Sequence, residues 1–162
     1  MPLIWGLTVA ILGGLSTDLG PWYQALKEPF WKPPDFAFGP IWSTIFILSG
    51  VAWVGAKHLT IDPVILNRLT ILFWLNGFLN IFWSILYFRF QRLDWSLYES
   101  VFLWLSVLAI LLTIRKISTK YSLYMLPYLI WVSIAIALNY QTLQLNGASG
   151  QQVAVKSKLL LG

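Results

Sequence analysis

Residues Trp22–Trp42 read WYQALKEPFWKPPDFAFGPIW, and this run decides how the rest of the chain must fold. Together with Pro21 just ahead of it, it holds five of the chain's eight prolines: Pro21, Pro29, Pro33, Pro34 and Pro40. Proline removes a backbone donor and pushes the residue before it out of the helical region, so no helix is expected through the run. Yet Trp22, Tyr23, Phe30, Trp31, Phe36, Phe38 and Trp42 are interleaved with those prolines. Large rings on a stiff backbone lose little entropy when they pack, so the run predicts an ordered cap with Lys27, Glu28, Lys32 and Asp35 on its wet side. A cap needs an apolar body to cover.

The flanking sequence supplies that body. The chain has 162 residues, of which 58% are hydrophobic and 10% charged, with a mean hydropathy of +0.71. A soluble domain carries about 25% charged residues, so this chain cannot clothe a water-facing surface and reads as an integral membrane protein. Its net charge of +5 is spread too thinly to hold nucleic acid. Cysteine is absent and His58 is the only histidine, which excludes disulfides, thiolate chemistry and a His-rich metal site; His58 is expected at an interface. No Lys or Arg precedes Lys27, so the first apolar run does not read as a secretion signal.

Five uncharged runs predict helices at about 2–20, 40–58, 63–88, 95–115 and 122–145. The expected fold is an all-α membrane bundle of five spanning helices, one domain over residues 1–146. The lid occupies 21–39 between the first two helices, and a flexible tail follows over 147–162. Pro40 is expected in the first turn of the second helix, and Asp62-Pro63 is an N-cap followed by a helix-starting proline. Five Lys and Arg on one side against six on the other leave the orientation open. In the first helix Gly6, Ala10 and Gly14 share one face, which predicts close approach of a neighbouring helix or of a second copy.

Polar side chains in lipid must face protein or a cavity. Asn76, Asn80 and Ser84 fall four apart, with Trp83 and Tyr87 flanking; so do Trp42, Phe46 and Gly50, and Trp131, Ala135 and Asn139. These stripes are the expected inner faces. Two readings stay open: asparagines as interhelical hydrogen-bonding glue, or a mostly apolar small-molecule pocket with sparse polar groups. On the second reading, Trp42, Phe46, Asn80, Trp83, Trp131, Ala135 and Asn139 bind a flat aromatic ligand. Trp31, Lys32, Pro33 and Pro34 close over it, and Lys27 and Lys32 meet any carboxylates. Glu99, about one turn into the fourth helix, is expected at the interface, so no mid-span acid or base supports proton-coupled transport.

Three stretches together resemble one family: WYQALKEPFWKPP with FGPIW over Trp22–Trp42, LNIFWS over Leu79–Ser84, and LPYLIWVSIAIALNY over Leu126–Tyr140. Their order and spacing are similar to those of the translocator protein or tryptophan-rich sensory protein family, the peripheral-type benzodiazepine receptors. The resemblance covers nearly the whole chain. It implies a five-helix bundle, often a homodimer, with a pocket closed by the loop after the first helix. It also implies binding of protoporphyrin IX and of benzodiazepine or isoquinoline compounds, a sensory or regulatory role, and no required cofactor. Matching positions carry Trp42, Phe46, Asn80, Trp131 and Ala135 over as pocket, and Trp31, Pro33 and Pro34 as lid. Some bacterial members are associated with light-dependent porphyrin breakdown, for which Trp42 and Trp131 would be the catalytic donors, and passive transport of porphyrin or lipid is a further implication. Sterol-binding members carry a basic residue soon after the tyrosine matching Tyr140; here QTLQLN follows, which argues for a bacterial-type member and against cholesterol.

Overall fold

In the computed structural model the described residues are 1–150, so most of the expected tail, 151–162, lies outside them. The chain is all-α. In order come α1 (Pro2–Ser16), α2 (Pro21–Gln24), α3 (Asp35–Leu59), α4 (Pro63–Ser84), a π-helical turn (Ile85–Arg89), α5 (Leu93–Arg115), α6 (Thr119–Leu123) and α7 (Leu126–Asn146). Among the described residues four segments are long and apolar enough to cross a membrane: Asp35–Leu59, Pro63–Arg89, Leu93–Arg115 and Thr119–Asn146.

The first helix is shorter than expected. It ends at Ser16 after 15 residues, roughly 22 Å of rise. Asp18 explains the stop: its carboxylate accepts from Gly20 N at 2.9 Å, a local turn that competes with the helix, and Pro21 then starts α2. The second spanning helix begins earlier than expected, at Asp35, with Pro40 inside it. Pro34 is extended, and Asp35 places a negative charge in the first turn, where the helix dipole favours it. Pro40 deprives only the carbonyl of Phe36 of a partner, and Phe36 is exposed at the helix start. The lid therefore ends at Pro34, not at residue 39. At α4 the reading of Asp62-Pro63 holds: the Asp62 carboxylate accepts from Val64 N at 2.9 Å. The last helix is broken. α6 and α7 are separated at Tyr124–Met125, and Pro127 sits in the first turn of α7.

The core is centred on Trp5. Its ring meets Phe73 at 5.2 Å, Phe46 at 5.8 Å and Trp53 at 6.3 Å, while Trp53 and Phe73 stack in parallel at 4.3 Å. This tower ties α1, α3 and α4 together. The close approach of α1 to α4 uses Gly77, where a Cβ would lie 2.7 Å from both Trp5 Nε1 and Val9 Cγ2. The expected intrachain contact through Gly6, Ala10 and Gly14 is corrected: a Cβ on Gly6 or Gly14 would meet nothing within 4 Å, and Ala10 is exposed. Trp5, Val9 and Gly13 are the buried face of α1; the large ring at Trp5 turns its own side of the helix inward. Exposed Leu, Ile, Val and Phe side chains on α1, α3, α4, α5 and α7 are the lipid-facing surface of an integral membrane protein.

Candidate ligand pocket beneath the cap

The cap is ordered and tied down at both ends. Tyr23 and Leu26 are buried against Tyr87 and Leu93, with Trp22, Trp83 and Phe88 packed on the same cluster. Trp22 meets Tyr87 at 6.1 Å and Tyr23 meets Phe88 at 5.7 Å, so the π-helical turn after α4 is the anvil for the first half of the cap. The second half hangs on α7. Lys27 N donates to Asn146 Oδ1 at 2.8 Å, and Asn146 Nδ2 donates back to the Lys27 carbonyl at 2.9 Å. Trp31 Nε1 donates to Gln141 Oε1 at 2.5 Å. Residues expected to begin a flexible tail take part as well. Ala148 accepts from Leu93 N at 2.9 Å, and the Ser149 carbonyl accepts from Trp22 Nε1 at 3.2 Å.

Lys32 has a different place from the one expected. Its ammonium bridges Glu28 at 2.7 Å and Asp35 at 2.5 Å, and its side chain is only 12% exposed. It also lies over the rings of Tyr23 and Phe38, at 5.3 and 5.8 Å. The Tyr23 hydroxyl donates to the same Asp35 oxygen at 2.8 Å. Burial pulls the Lys32 ammonium down, but its hydrogen bonds to Asp35, Glu28 and Tyr23 outweigh that and hold it above its ordinary value. Burial pushes the Tyr23 phenol up. Lys32 is thus a clasp that ties the cap to the start of α3, its charge already neutralised. Lys27 is exposed, with no carboxylate partner among the described residues, and is the cation left at the mouth.

Below the clasp the aromatic side chains lie against one another. Trp42 stacks on Phe46 at 5.5 Å and meets the edge of Tyr128 at 5.9 Å. Trp131 is buried and meets Phe38 edge-on at 5.5 Å. Phe38 and Tyr128 were not singled out from the sequence. Tyr128 could have been, since it precedes Trp131 by three residues and so shares its helical face; Phe38 was assigned to the lid. Pro33 is half-buried and Pro34 exposed.

The polar residues divide. Asn80 Nδ2 donates to the Tyr128 hydroxyl at 3.2 Å, which donates to Asn76 Oδ1 at 3.1 Å. Asn76 Nδ2 in turn donates to Ser106 Oγ at 2.9 Å. This chain joins α4, α7 and α5 behind the Trp42–Tyr128 contact, so the interhelical-glue reading is right for Asn76. Asn139 is buried and its amide is engaged by Ser96 at 2.9 Å. That bond, with Trp104 to Ser133 at 2.9 Å, fixes α5 antiparallel to α7. Trp83 belongs to the cluster under the cap. Ala135 is half-buried. Glu99 is buried within the bundle, and among the described residues neither carboxylate oxygen has a hydrogen-bond partner. The Ser96–Asn139 register carries it inward beside α7. The indole N–H groups of Trp5, Trp53 and Trp131 are likewise buried without an acceptor among the described residues.

Known proteins match this arrangement along its length. The TspO/MBR family model matches residues 2–145. The chain belongs to the TspO/MBR family. It is 35% identical over 152 residues to the "Tryptophan-rich protein TspO" of Chlorobaculum tepidum, covering 86% of this chain and 96% of that protein. It is 34% identical over 131 residues to "Protein CrtK" of Rhodobacter capsulatus, covering 78% and 79%. The human "Translocator protein" is 25% identical over 123 residues, covering 74% of this chain and 71% of its own length. The match spans the cap, the aromatic stripes and the asparagine chain alike, so TspO/MBR membership applies to the whole membrane domain.

Proposed function

We propose that this TspO/MBR protein binds a flat, largely apolar aromatic molecule of the tetrapyrrole class, such as protoporphyrin IX, beneath the cap, and that binding serves a sensory or regulatory role. Neutral benzodiazepine- or isoquinoline-type rings fit the same description. The observation that carries the reading is the indole N–H of Trp131, buried without an acceptor among the described residues on a ring that meets Phe38 edge-on. A buried donor without an acceptor costs roughly 1–3 kcal/mol, and a ligand acceptor would recover it. Ligand entry would exchange the Phe38–Trp131 contact for ring-on-ring contact with the guest, a swap between interactions of similar worth. The regulatory part draws on relatives, among them the "Tryptophan-rich sensory protein" of Cereibacter sphaeroides.

Titration with protoporphyrin IX, read by tryptophan quenching, tests the proposal. Trp131→Ala is expected to weaken binding by about 0.5–1.5 kcal/mol beyond lost area, and Ala135→Leu to weaken it by filling guest volume. Unchanged affinity in both folded variants would overturn the site. A second reading is photo-oxidative breakdown of the porphyrin with molecular oxygen as the oxidant, in which Trp42 and Trp131 lend an electron to the excited guest and recover it as oxygen adds, so that neither ring is consumed; it is favoured by Tyr128 lying against Trp42 and holding that ring in place. Under illumination with oxygen, product beyond one equivalent supports turnover; product stopping at one equivalent refutes it.

A further inference from the structure

The two ends of the bundle treat their charges differently. At the capped end, Lys32 pairs with Glu28 and Asp35, Arg89 with Asp18, and Arg92 with Asp94. These are all the ion pairs among the described residues. Of the chain's six carboxylates, only Asp62 lies at the opposite end, and it is spent on capping α4. That end carries Lys57, Arg68, Arg115, Lys116 and Lys120.

Three of those five cations converge. The short connection of residues 90–92 turns α5 back antiparallel to α4, and the Asn76–Ser106 hydrogen bond sets their register. Moving two turns back along α4 and two turns on along α5 brings Arg68 level with the end of α5, at Arg115. There Arg68, Arg115 and Lys116 rim a hollow of about 550 Å³ whose remaining wall is Ala109, Leu112 and Thr113. The α5 C-terminus accounts for Arg115 and Lys116, since helix ends of that polarity favour cations. It does not account for Arg68, which comes from the N-terminal part of α4 and adds a third positive charge, in no ion pair among the described residues. Leu112 is exposed on the apolar side, facing the bilayer.

We propose that this hollow is a binding site for the phosphate headgroup of an anionic membrane phospholipid. The guanidinium groups of Arg68 and Arg115 suit bidentate recognition of phosphate oxygens. Lys116 adds a third charge, and the Ala109–Leu112 wall receives the upper acyl chain. The occupant is a lipid rather than a soluble anion because the cations and the apolar wall belong to one hollow at the end of a spanning helix, where headgroups lie. Basic hollows between spanning helices at a membrane surface recognise anionic lipid in this way.

The test uses the full chain in detergent, with native mass spectrometry and thermal melting. Phosphatidylglycerol, phosphatidylcholine with the same acyl chains, and inorganic phosphate are added separately. Phosphatidylglycerol is expected to be retained and to raise the melting temperature, and phosphatidylcholine is not. Each charge removed is expected to cost about fivefold in affinity, so Arg68→Gln with Arg115→Gln loses about 25-fold. Lys57→Gln with Lys120→Gln, on the same face but outside the hollow, is expected to stay within about twofold. Both pairs are exposed, so the variants are expected to keep the parental melting point without lipid. Equal retention of the two lipids would overturn the proposal, as would equal losses in the two double variants, which mean diffuse surface charge. Displacement of the lipid by inorganic phosphate at similar concentration would replace it with a soluble-anion site.

Discussion

Replacing Lys32 by methionine tests whether the cap is a lid held by its own clasp. Methionine keeps the apolar stem and removes the ammonium. The two carboxylates it leaves behind are 41% and 47% exposed, so water takes them up and each lost pair is worth roughly 0.5–1 kcal/mol. The cation over Tyr23 and Phe38 adds about 0.5 kcal/mol at this exposure. The sum, about 2 kcal/mol, corresponds to roughly thirtyfold greater opening of the cap. The measurement is stopped-flow release of bound porphyrin, with hydrogen exchange of the cap amides as a readout independent of ligand. Protoporphyrin IX and its neutral dimethyl ester should both leave about thirtyfold faster, because Lys32 spends its charge on Glu28 and Asp35 and not on the guest. Faster release of the free acid alone would show that Lys32 holds ligand carboxylates and refute the clasp. Unchanged release of both, with cap exchange also unchanged, would show that the cap is not a gate. The pH dependence has a definite sign. Lys32 and Tyr23 both lie above their ordinary values of 10.5 and 10.0. Their contribution is complete below those values and lost as pH rises through the folded-state ones. Release should therefore be insensitive to these groups from neutrality to about pH 10 and accelerate only above it.

Gly77→Ala should lower the melting temperature by the equivalent of about 1–3 kcal/mol, because the new Cβ strikes Trp5 and Val9; Gly14→Ala, with open space around it, should change it little. Tyr128→Phe removes the hydroxyl between Asn80 and Asn76 and should cost about 1–3 kcal/mol in thermal melting. Glu99→Leu replaces a buried carboxyl without partners among the described residues by a side chain suited to the site; thermal melting should rise, by about 1 kcal/mol or more, and a fall would show that the carboxyl is satisfied by something that melting disrupts.

The asparagine ladder shows what a stripe can and cannot tell. Four-residue spacing put Asn76, Asn80 and Ser84 on one inward face, and the structure keeps them buried there. Spacing does not say which neighbour a side chain reaches. Asn139 shares a face with Trp131, yet rotation of α7 against α5 delivers its amide to Ser96. The small-residue stripe of α1 failed for a related reason: Gly6, Ala10 and Gly14 permit close approach, but burial of the Trp5 ring decides which side of the helix faces in.

Composition and local chemistry determined the class of this protein from the sequence alone. Uncharged runs of spanning length must be helices in lipid, where every backbone group needs an internal partner, and the Pro33-Pro34 pair cannot lie inside one. Those are constraints on single segments, which is why they are legible without a partner in view. What the tertiary structure decided are pairings between segments distant in sequence. Lys32, read as a free cation at the mouth, is the local exception: its partners Glu28 and Asp35 lie only four and three residues away, and the turn into α3 at Asp35 brings them alongside it. Glu99, read as interfacial, is buried because α5 packs that face against α7. Arg68 and Arg115 form one charged hollow because α4 and α5 run antiparallel. Helix rotation and register are set by the sum of many small packing terms across the bundle, and no single segment carries that sum in its own sequence.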